Sequence, residues 1–275
     1  MKDFFERFGI EFYSFIPLSR CKVLKKYLLE KNGFDENANA ILFLIPYRSK
    51  IKPINLSVYA SVRDYHGFVT LLDNELKKYV DSKFPKGKFK LFADHSPIDE
   101  VHGACISGLG FIGDNGLLIN EKYSSFVFLA ECITDLSADE LGLEVCPDTS
   151  VKECLHCGAC AKACPSSCID ASDPRPKSEC LSAITQKKGD FSADEEKMML
   201  DSGVIWGCDI CQNVCPFTKN AELTPIEYFN TDVITLLDKK TLDSLDDATF
   251  MTRPFSWRGR SVIERNVNIY ERSKK

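Results

Sequence analysis

The chain has 275 residues, of which 44% are hydrophobic and 27% charged, with a formal net charge of -5. It can bury a core and split into two units, whereas the negative balance argues against general affinity for nucleic acid. No apolar run approaches the ~18 residues of a membrane-spanning helix, and the N-terminus lacks the apolar core of a secretory signal. We therefore expect a cytoplasmic protein without membrane contact.

Residues 1–145 alternate between strand and helix patterns. Strands are predicted over 40–47 and 88–93. One buried helix face between them is predicted from Phe68, Leu72, Leu76, Tyr79 and Val80. A second helix is predicted from Ile98, Val101, Cys105 and Leu109, followed by a glycine-rich turn and apolar stretches at 117–119 and 126–130. This alternation predicts an α/β (α+β) fold class.

From about Cys146 the rhythm gives way to cysteine-rich sequence that is interrupted by Pro147, Pro165, Pro174 and Pro176. The predicted division is therefore 1–145 for an α/β domain, 146–220 for a cysteine-rich domain with a helix over 190–206, and 221–275 for a C-terminal segment. That segment ends in a basic tail, the one part expected to contact phosphate. Its basic residues are Arg253, Arg258, Arg260, Arg265, Arg272, Lys274 and Lys275.

The strongest chemical signal is a cysteine motif, Cys154-x2-Cys157-x2-Cys160-x3-Cys164-Pro165. In ferredoxins with this spacing, three thiolates bind one 4Fe-4S cluster and the fourth binds a second cluster. A second motif, Cys208-x2-Cys211-x3-Cys215-Pro216, matches the last three cysteines of the first. Two clusters need eight thiolates and the motifs supply seven, so one donor must come from elsewhere.

The crossover assigns Cys154, Cys157, Cys160 and Cys215 to the first cluster, and Cys164, Cys208, Cys211 and one outside donor to the second. We favour Cys180 as that donor because it lies between the motifs. Cys168 follows Cys164 so closely that a helical turn would carry it off the cluster or into the surrounding packing. The other cysteines are predicted to be small buried hydrophobes: Cys21, Cys105, Cys132 and Cys146.

Two alternatives apply to the whole array. Disulfides are the weaker interpretation in a reducing compartment. Structural zinc sites also use paired Cys-x2-Cys units, but one tetrahedral ion cannot easily use four cysteines within eleven residues. His156, inside the first motif, is predicted to be a neighbour and not a ligand.

Together these patterns resemble the epoxyqueuosine reductase family, corrinoid-dependent iron-sulfur enzymes of tRNA modification. The matching segments are Tyr59-Ala-x2-Arg63-Asp64-Tyr65-His66, Ala93-Asp94-His95-Ser96-Pro97, Gly108-Leu109-Gly110-Phe111-Ile112-Gly113, and both cysteine motifs, the second opening Gly207-Cys208-Asp209-x-Cys211-Gln212. The spacing from Cys164 to Cys180 is also similar to the family's, where the intermediate cysteine serves the second cluster.

The resemblance implies a nitroreductase-like corrinoid-binding domain, then a ferredoxin-like domain with two 4Fe-4S clusters that feeds electrons to cobalt. It implies cobalamin as a further cofactor, reduction of epoxyqueuosine to queuosine in tRNA, and a low-potential electron donor of the flavodoxin or ferredoxin type. The basic tail would then be the part that contacts tRNA.

Asp94 falls on the family's proposed proton donor, and Tyr65 and His66 would line the same pocket. A carboxyl group whose pKa is raised by burial could protonate the departing oxygen. The alternative for Asp94 is a residue at the end of a strand that caps the next helix.

Gly108, Gly110 and Gly113 imitate a dinucleotide-binding fingerprint, which must follow a strand and open a helix. Here the glycines follow a predicted helix and lead to the apolar stretch at Leu117. We therefore favour a tight loop that lets the backbone approach a macrocycle.

Asp114 stands where the family usually has a lysine, and the chain is shorter than many members, which predicts a short or divergent paralogue. Two other functions stay open. One is reductive dehalogenation by similar machinery, and the other is electron transfer by a 4Fe-4S protein without corrinoid chemistry.

Overall fold

The computed structural model describes residues 1–146, 153–173 and 177–272. Five residues named above lie outside this part of the chain: Pro147, Pro174, Pro176, Lys274 and Lys275. The described chain divides into two compact units. The first unit comprises Met1–Pro46, His66–Gly113 and Leu117–Cys154; the second comprises Tyr47–Tyr65, Asp114–Gly116 and the residues from Leu155 onward.

The strands are β1 Tyr13–Pro17, β2 Asn39–Pro46, β3 Phe89–Phe92, β4 Phe111–Ile112, β5 Leu118–Ile119 and β6 Val127–Thr134. The α-helices are α1 Lys2–Arg7, α2 Lys26–Lys31, α3 Val58–Ser61, α4 Tyr65–Lys83, α5 Glu100–Ile106, α6 Ala138–Leu141, α7 Ala159–Ala163, α8 Leu181–Thr185, α9 Ala193–Ser202, α10 Ile210–Asn213, α11 Lys239–Ser244, α12 Asp247–Met251 and α13 Arg260–Arg272. Short 3-10 turns occupy Leu18–Arg20, Pro216–Asn220, Glu227–Phe229 and Ser256–Arg258.

An antiparallel sheet with the order β1-β2-β6-β3 forms the centre of the first unit. The β2 sequence, NAILFLIP, is an almost unbroken apolar run, and every residue after Asn39 is buried. Such a run suits a strand that is covered on both faces. The predicted strands over 40–47 and 88–93 are confirmed, and the antiparallel pairing makes this unit the α+β form of the predicted fold class.

The first helix predicted from the spacing of apolar residues is α4. Phe68, Leu72, Leu76 and Val80 are buried on one face of this helix, because residues four apart share a face. The second predicted helix is shorter than expected. It begins at Glu100 and ends at Ile106, so Ile98 and Leu109 lie outside it and contribute to the core from the flanking turns.

The second unit is largely helical. Its main core surrounds the fully buried Trp206, with Phe250, Phe255 and Ile263 in the same cluster. The helix predicted over 190–206 is α9, which begins after a capping box of Ser192 and Glu195 and ends at Gly203 in the left-handed conformation. These local signals set the ends of the helix inside the predicted range.

Within the described residues, no helix is both long and apolar enough to cross a membrane.

Candidate functional site

Asp94 lies in the turn that leaves β3. Its backbone is left-handed, with φ of 63°, and its side chain is 72% exposed. His66, the second residue of α4, places Nε2 3.8 Å from Asp94 Oδ2. Two motifs that are separated in sequence thus form an accessible pair of a carboxylate and an imidazole.

The surroundings of Asp94 lower its pKa. The close contact with His66 is the largest cause, burial opposes it, and the charges of His66, Lys25 and His95 add to the lowering. The expectation that burial raises the pKa of Asp94 is therefore wrong, because the side chain faces solvent. The alternative role as a helix cap is also wrong, because Asp99 caps α5 by accepting a 3.1 Å hydrogen bond from the His102 amide.

A pair of acidic residues that the sequence analysis missed lies behind this turn. Glu131 on β6 is fully buried, and its register partners are Leu42 and Phe92. Its carboxyl group lies close enough to that of Glu100 for each to shift the pKa of the other. The available sequence signal was a single charged residue in an otherwise apolar strand, because such a residue is seldom buried without a specific partner.

Burial raises the pKa of both carboxyl groups. Burial is the main cause for Glu100, whose pKa rises to about 7, and the charge of Asp94 adds to it. The pKa of Glu131 lies well above its ordinary value because of burial and then the charge of Glu100. The pair therefore resists losing both protons at neutral pH.

Tyr65 begins α4 directly before His66 and is half-buried. It groups with the second unit, whereas His66 groups with the first. A cofactor pocket lined by both side chains stays a prediction.

Two of the motif glycines, Gly108 and Gly110, lie between α5 and β4, and Gly113 begins the turn from β4 to β5. Gly108 has φ of 76°, and the Gly113 amide donates a 2.9 Å hydrogen bond to the Leu117 carbonyl. A Cβ at Gly110 would lie 2.5 Å from the Ile119 carbonyl oxygen, so the hairpin itself requires glycine there. Because the segment opens no helix, it lacks the context of a dinucleotide fingerprint. Contact of these glycines with a corrinoid stays a prediction.

The four thiols of the second predicted set are near neighbours in the second unit. Burial is the main cause that raises the pKa of Cys208 to about 12, and Cys180 and Cys164 add to it. Burial likewise raises the pKa of Cys211 to about 12, and Cys208 and Cys180 add to it. A group of soft sulfur donors such as this suits an iron-sulfur cluster, so the residues fit the predicted second cluster.

Cys168 remains beside Cys164, with 3.7 Å between the two sulfur atoms. It therefore stays in the packing next to the second set. Cys180 raises the pKa of both Cys208 and Cys211, whereas Cys168 interacts with Ser166, Cys164 and Cys180. These contacts favour Cys180 as the eighth ligand.

The first predicted set is distributed over the two units. Cys154 is the last residue of the first unit, and Cys157, Cys160 and Cys215 belong to the second. Helix α7 carries Cys160 and packs against α10, which carries Cys211, so the two cysteine motifs come together. Binding of one cluster by this set stays a prediction.

His156 has a partner at the position where the family usually has a lysine. Its Nδ1 lies 2.7 Å from Asp114 Oδ1, and Asp114 is only 9% exposed. Of the scattered cysteines, Cys21 and Cys132 are buried as predicted. Cys105 and Cys146 are half-buried and pack against the core of the first unit.

A buried carboxylate lies between two predicted cluster ligands. Asp209 is 7% exposed and accepts hydrogen bonds from the Val58 amide at 2.6 Å and from Gln212 Nε2 at 2.8 Å. Burial raises its pKa to about 6. The family motif included Asp209, but its link to α3 was not predictable from the sequence.

The basic C-terminal segment is not an extended tail, because Arg260–Arg272 forms α13. Its arginines contact their own unit. Arg253 donates to the Asp232 carbonyl, Arg260 to those of Leu242 and Leu245, Arg265 to that of Gly189, and Arg272 pairs with Glu196. Arg258 lies over the ring of Trp257, at 3.7 Å from its centroid. The predicted role in phosphate contact therefore competes with structural roles.

The cysteine-rich segment matches a known protein family. Residues 153–218 match the family model of the 4Fe-4S double cluster binding domain, and all eight predicted ligands lie within this range.

The chain is 31% identical over 212 residues to an epoxyqueuosine reductase of Lactococcus garvieae, covering 74% of this chain and 57% of the relative. It is 29% identical over 252 residues to that of Listeria monocytogenes, covering 86% and 64% respectively. The chain thus spans about three fifths of these relatives' length.

Solved structures show the same fold. An epoxyqueuosine reductase from Streptococcus thermophilus matches with a TM-score of 0.79 at 24% identity, covering 99% of this chain and 80% of that one. An epoxyqueuosine reductase with an epoxyqueuosine-modified tRNA-Tyr stem loop matches with a TM-score of 0.73 at 23% identity, covering 98% and 79%. A catabolic reductive dehalogenase matches more weakly, with a TM-score of 0.50 at 15% identity, covering 99% and 37%.

Proposed function

The chain belongs to the epoxyqueuosine reductase family, and we propose that it is an oxidoreductase that reduces epoxyqueuosine in tRNA to queuosine. The reaction converts an epoxide into an alkene with loss of water, so each turnover consumes two electrons and two protons. We assign the chemistry to residues 1–145 as a nitroreductase-like domain. Residues 146–220 would form a ferredoxin-like domain, followed by the C-terminal segment 221–275.

The cysteines would carry the electrons. We assign Cys164, Cys180, Cys208 and Cys211 to one 4Fe-4S cluster, which the proximity of these four thiols supports. The other cluster would take Cys154, Cys157, Cys160 and Cys215. A low-potential flavodoxin or ferredoxin would supply the electrons.

A corrinoid fits the accessible surface at Asp94. The side chains of Asp94 and His66 are 72% and 57% exposed, so a bulky cofactor can approach them. Residues Tyr65, His66, Gly108, Gly110 and Gly113 would hold it. When bound, cobalamin supplies a low-potential metal centre that delivers electrons to the epoxide.

The pair of Asp94 and His66 is the observation that carries the proposal. An electron carrier has no evident use for an exposed carboxylate that lies in a left-handed turn with a histidine 3.8 Å away. The carboxylate and the imidazole can hold one proton between them, and Asp94 Oδ2 can pass it to the departing oxygen. This role uses an acid that is paired, in place of one whose pKa is raised by burial.

We further propose that tRNA contacts the C-terminal segment near Trp257. A relative has a solved structure with an epoxyqueuosine-modified tRNA stem loop. Trp257 is 58% exposed and carries the Arg258 guanidinium over its ring. An exposed aromatic ring next to a cation suits stacking with an unpaired base.

The test uses the full chain, purified without oxygen and reconstituted with iron, sulfide and cobalamin. We expect conversion of epoxyqueuosine-containing tRNA when a low-potential reductant is supplied. Asp94→Asn should lower turnover by about 100-fold or more. Asp139→Asn, at an exposed position on α6, should leave turnover unchanged.

Two results would contradict the proposal. Undiminished turnover of the Asp94→Asn variant would remove Asp94 from the mechanism. Loss of the corrinoid on gel filtration while iron stays bound would favour the electron carrier.

A further inference from the structure

Glu131 is fully buried beside Glu100, and two carboxyl groups can hydrogen-bond each other only when one of them carries a proton. Ser96 Oγ donates to Glu131 Oε1. Glu131 Oε2 is buried, and no N–H or O–H group in the described part of the chain donates to it. Two carboxylates are acceptors only, so Glu100 can satisfy this oxygen, or accept from it, only when one of the two neighbouring groups is a carboxylic acid.

Both carboxyl groups also hold the turn that carries Asp94. Glu100 Oε1 accepts a 3.1 Å hydrogen bond from the Asp94 amide. Ser96 Oγ accepts one of 3.0 Å from the Ile98 amide while it donates to Glu131. The turn is thus fixed at two of its residues by the same acid pair. A left-handed backbone at a residue other than glycine persists only when its surroundings hold it.

We propose that Glu100 and Glu131 share one proton and act as positioning residues that hold Asp94 in its left-handed conformation. The positioning role rests on the proposed function of Asp94. The shared proton does not, because it follows from the burial and the hydrogen bonds of the pair.

The groups around the pair determine how it responds to pH. Glu131 and Lys25 face Glu100 and favour its ionised form, whereas Asp94 opposes it. Glu100 in turn opposes the ionised form of Glu131. Cys21 and Cys132 are the thiols next to Glu131. His66, His95 and Lys25 face Asp94 itself.

Loss of the shared proton should release the turn. The pKa of Glu100 is about 7 and that of Glu131 lies well above its ordinary value, so above neutral pH a Glu100 carboxylate faces the acid form of Glu131. Two adjacent carboxylates form only when Glu131 also ionises at more alkaline pH. Their mutual repulsion, and repulsion by Asp94, then moves Glu100 away from the Asp94 amide, and Asp94 loses its fixed position.

Infrared spectroscopy of the reconstituted full chain tests the shared proton directly. At about pH 8, above the pKa of Glu100 and with the raised pKa of Glu131 keeping its proton in place, we expect a carboxylic-acid C=O band that shifts when glutamate is labelled with 13C. Glu131→Gln should remove this band. Glu140→Gln, at an exposed residue whose hydrogen bonds to Ser137 lower its pKa, should keep it. A spectrum of the unsubstituted protein without the band would overturn the proposal.

Turnover against pH tests the positioning role. Glu100→Ala should lower kcat by about tenfold or more with little change in KM, because misplacement of a reacting group lowers the rate and not substrate affinity. Glu100→Gln keeps a carbonyl acceptor for the Asp94 amide and should recover part of kcat. Its kcat should also fall less steeply as the pH rises into the alkaline range. If kcat of both variants falls at alkaline pH as it does in the unsubstituted protein, the positioning role is wrong. If the unsubstituted protein shows the carboxylic-acid infrared band but no turnover, the proposed function is contradicted and the shared proton is not.

Discussion

The backbone amide of Val58 donates a 2.6 Å hydrogen bond to Asp209 Oδ2, and Gln212 Nε2 donates to Oδ1. Asp209 is nearly fully buried and lies between Cys208 and Cys211 in sequence. One carboxylate therefore links the turn of two predicted cluster ligands to α3. Its hydrogen bonds are expensive to remove, because the donors would remain buried without an acceptor.

Asp209→Ala should lower the free energy of unfolding by about 2–4 kcal/mol, since it leaves both donors unsatisfied. Asp209→Asn keeps one acceptor oxygen and should cost about 1–2 kcal/mol. Denaturant unfolding without oxygen measures both. The control is Asp201→Ala on the exposed side of α9, where loss of the 2.7 Å ion pair with Lys197 should change stability little, because solvent screens both charges. Equal losses in the Ala variants at 209 and 201 would contradict the link to α3.

Cys180→Ala should lower bound iron and change the electron paramagnetic resonance signal of mainly one cluster. The reason is that Cys180 neighbours both Cys208 and Cys211, so its removal opens the second site. Cys168→Ala is the matched control, because its sulfur also lies beside that of Cys164 and should leave the iron content unchanged. The opposite pattern would make Cys168 the eighth ligand.

The sequence predicted the features that depend on local periodicity and missed those that depend on distant partners. Strand β2 and the buried face of α4 follow from apolar spacing alone. The partner of Glu131 is Glu100, which reaches it only after β6 has joined the sheet and α5 has folded beside it. No local sequence pattern predicts this contact between Glu100 and Glu131.

The same limit explains the error at Asp94. Its position at the end of a strand was predictable, and so was the adjacent motif. The sign of its pKa shift depends on His66 from α4 and on its exposure to solvent, which are tertiary properties. For the cysteines, by contrast, spacing itself encodes the chemistry, and the contacts of Cys180 support the assignment reached by counting.

Gly110→Ala should destabilise the hairpin of β4 and β5. The added Cβ would lie 2.5 Å from the Ile119 carbonyl oxygen and 3.0 Å from its carbonyl carbon, and a backbone atom cannot rotate away. We expect a loss of about 1–3 kcal/mol in the free energy of unfolding. Gly142→Ala is the control for backbone strain alone, because Gly142 has φ of 64° but an open space around the added atom. It should cost about 1 kcal/mol. A smaller loss at Gly110 than at Gly142 would contradict the close approach of the two strands.

Stability should fall as the pH rises through neutrality, and Glu100 should account for part of the slope. The pKa of Glu100 is about 7 in the folded protein, above its ordinary value of 4.5. Between these values the folded state binds more protons than the unfolded state. The stability from this group is therefore complete below about pH 4.5 and is lost as the pH rises through about 7.

The slope from one such proton is at most about 1.4 kcal/mol per pH unit. Glu100→Gln has no carboxyl group to titrate, so its free energy of unfolding should vary less over this pH window, as measured by denaturant unfolding at several pH values. Glu140→Gln should keep the steeper dependence of the free energy of unfolding on pH over this window. The pKa of Glu140 is lowered in the folded state, so this group makes stability rise with pH, and it does so only at lower pH. An unchanged slope for Glu100→Gln would mean that Glu100 is already ionised in the folded protein over this pH window.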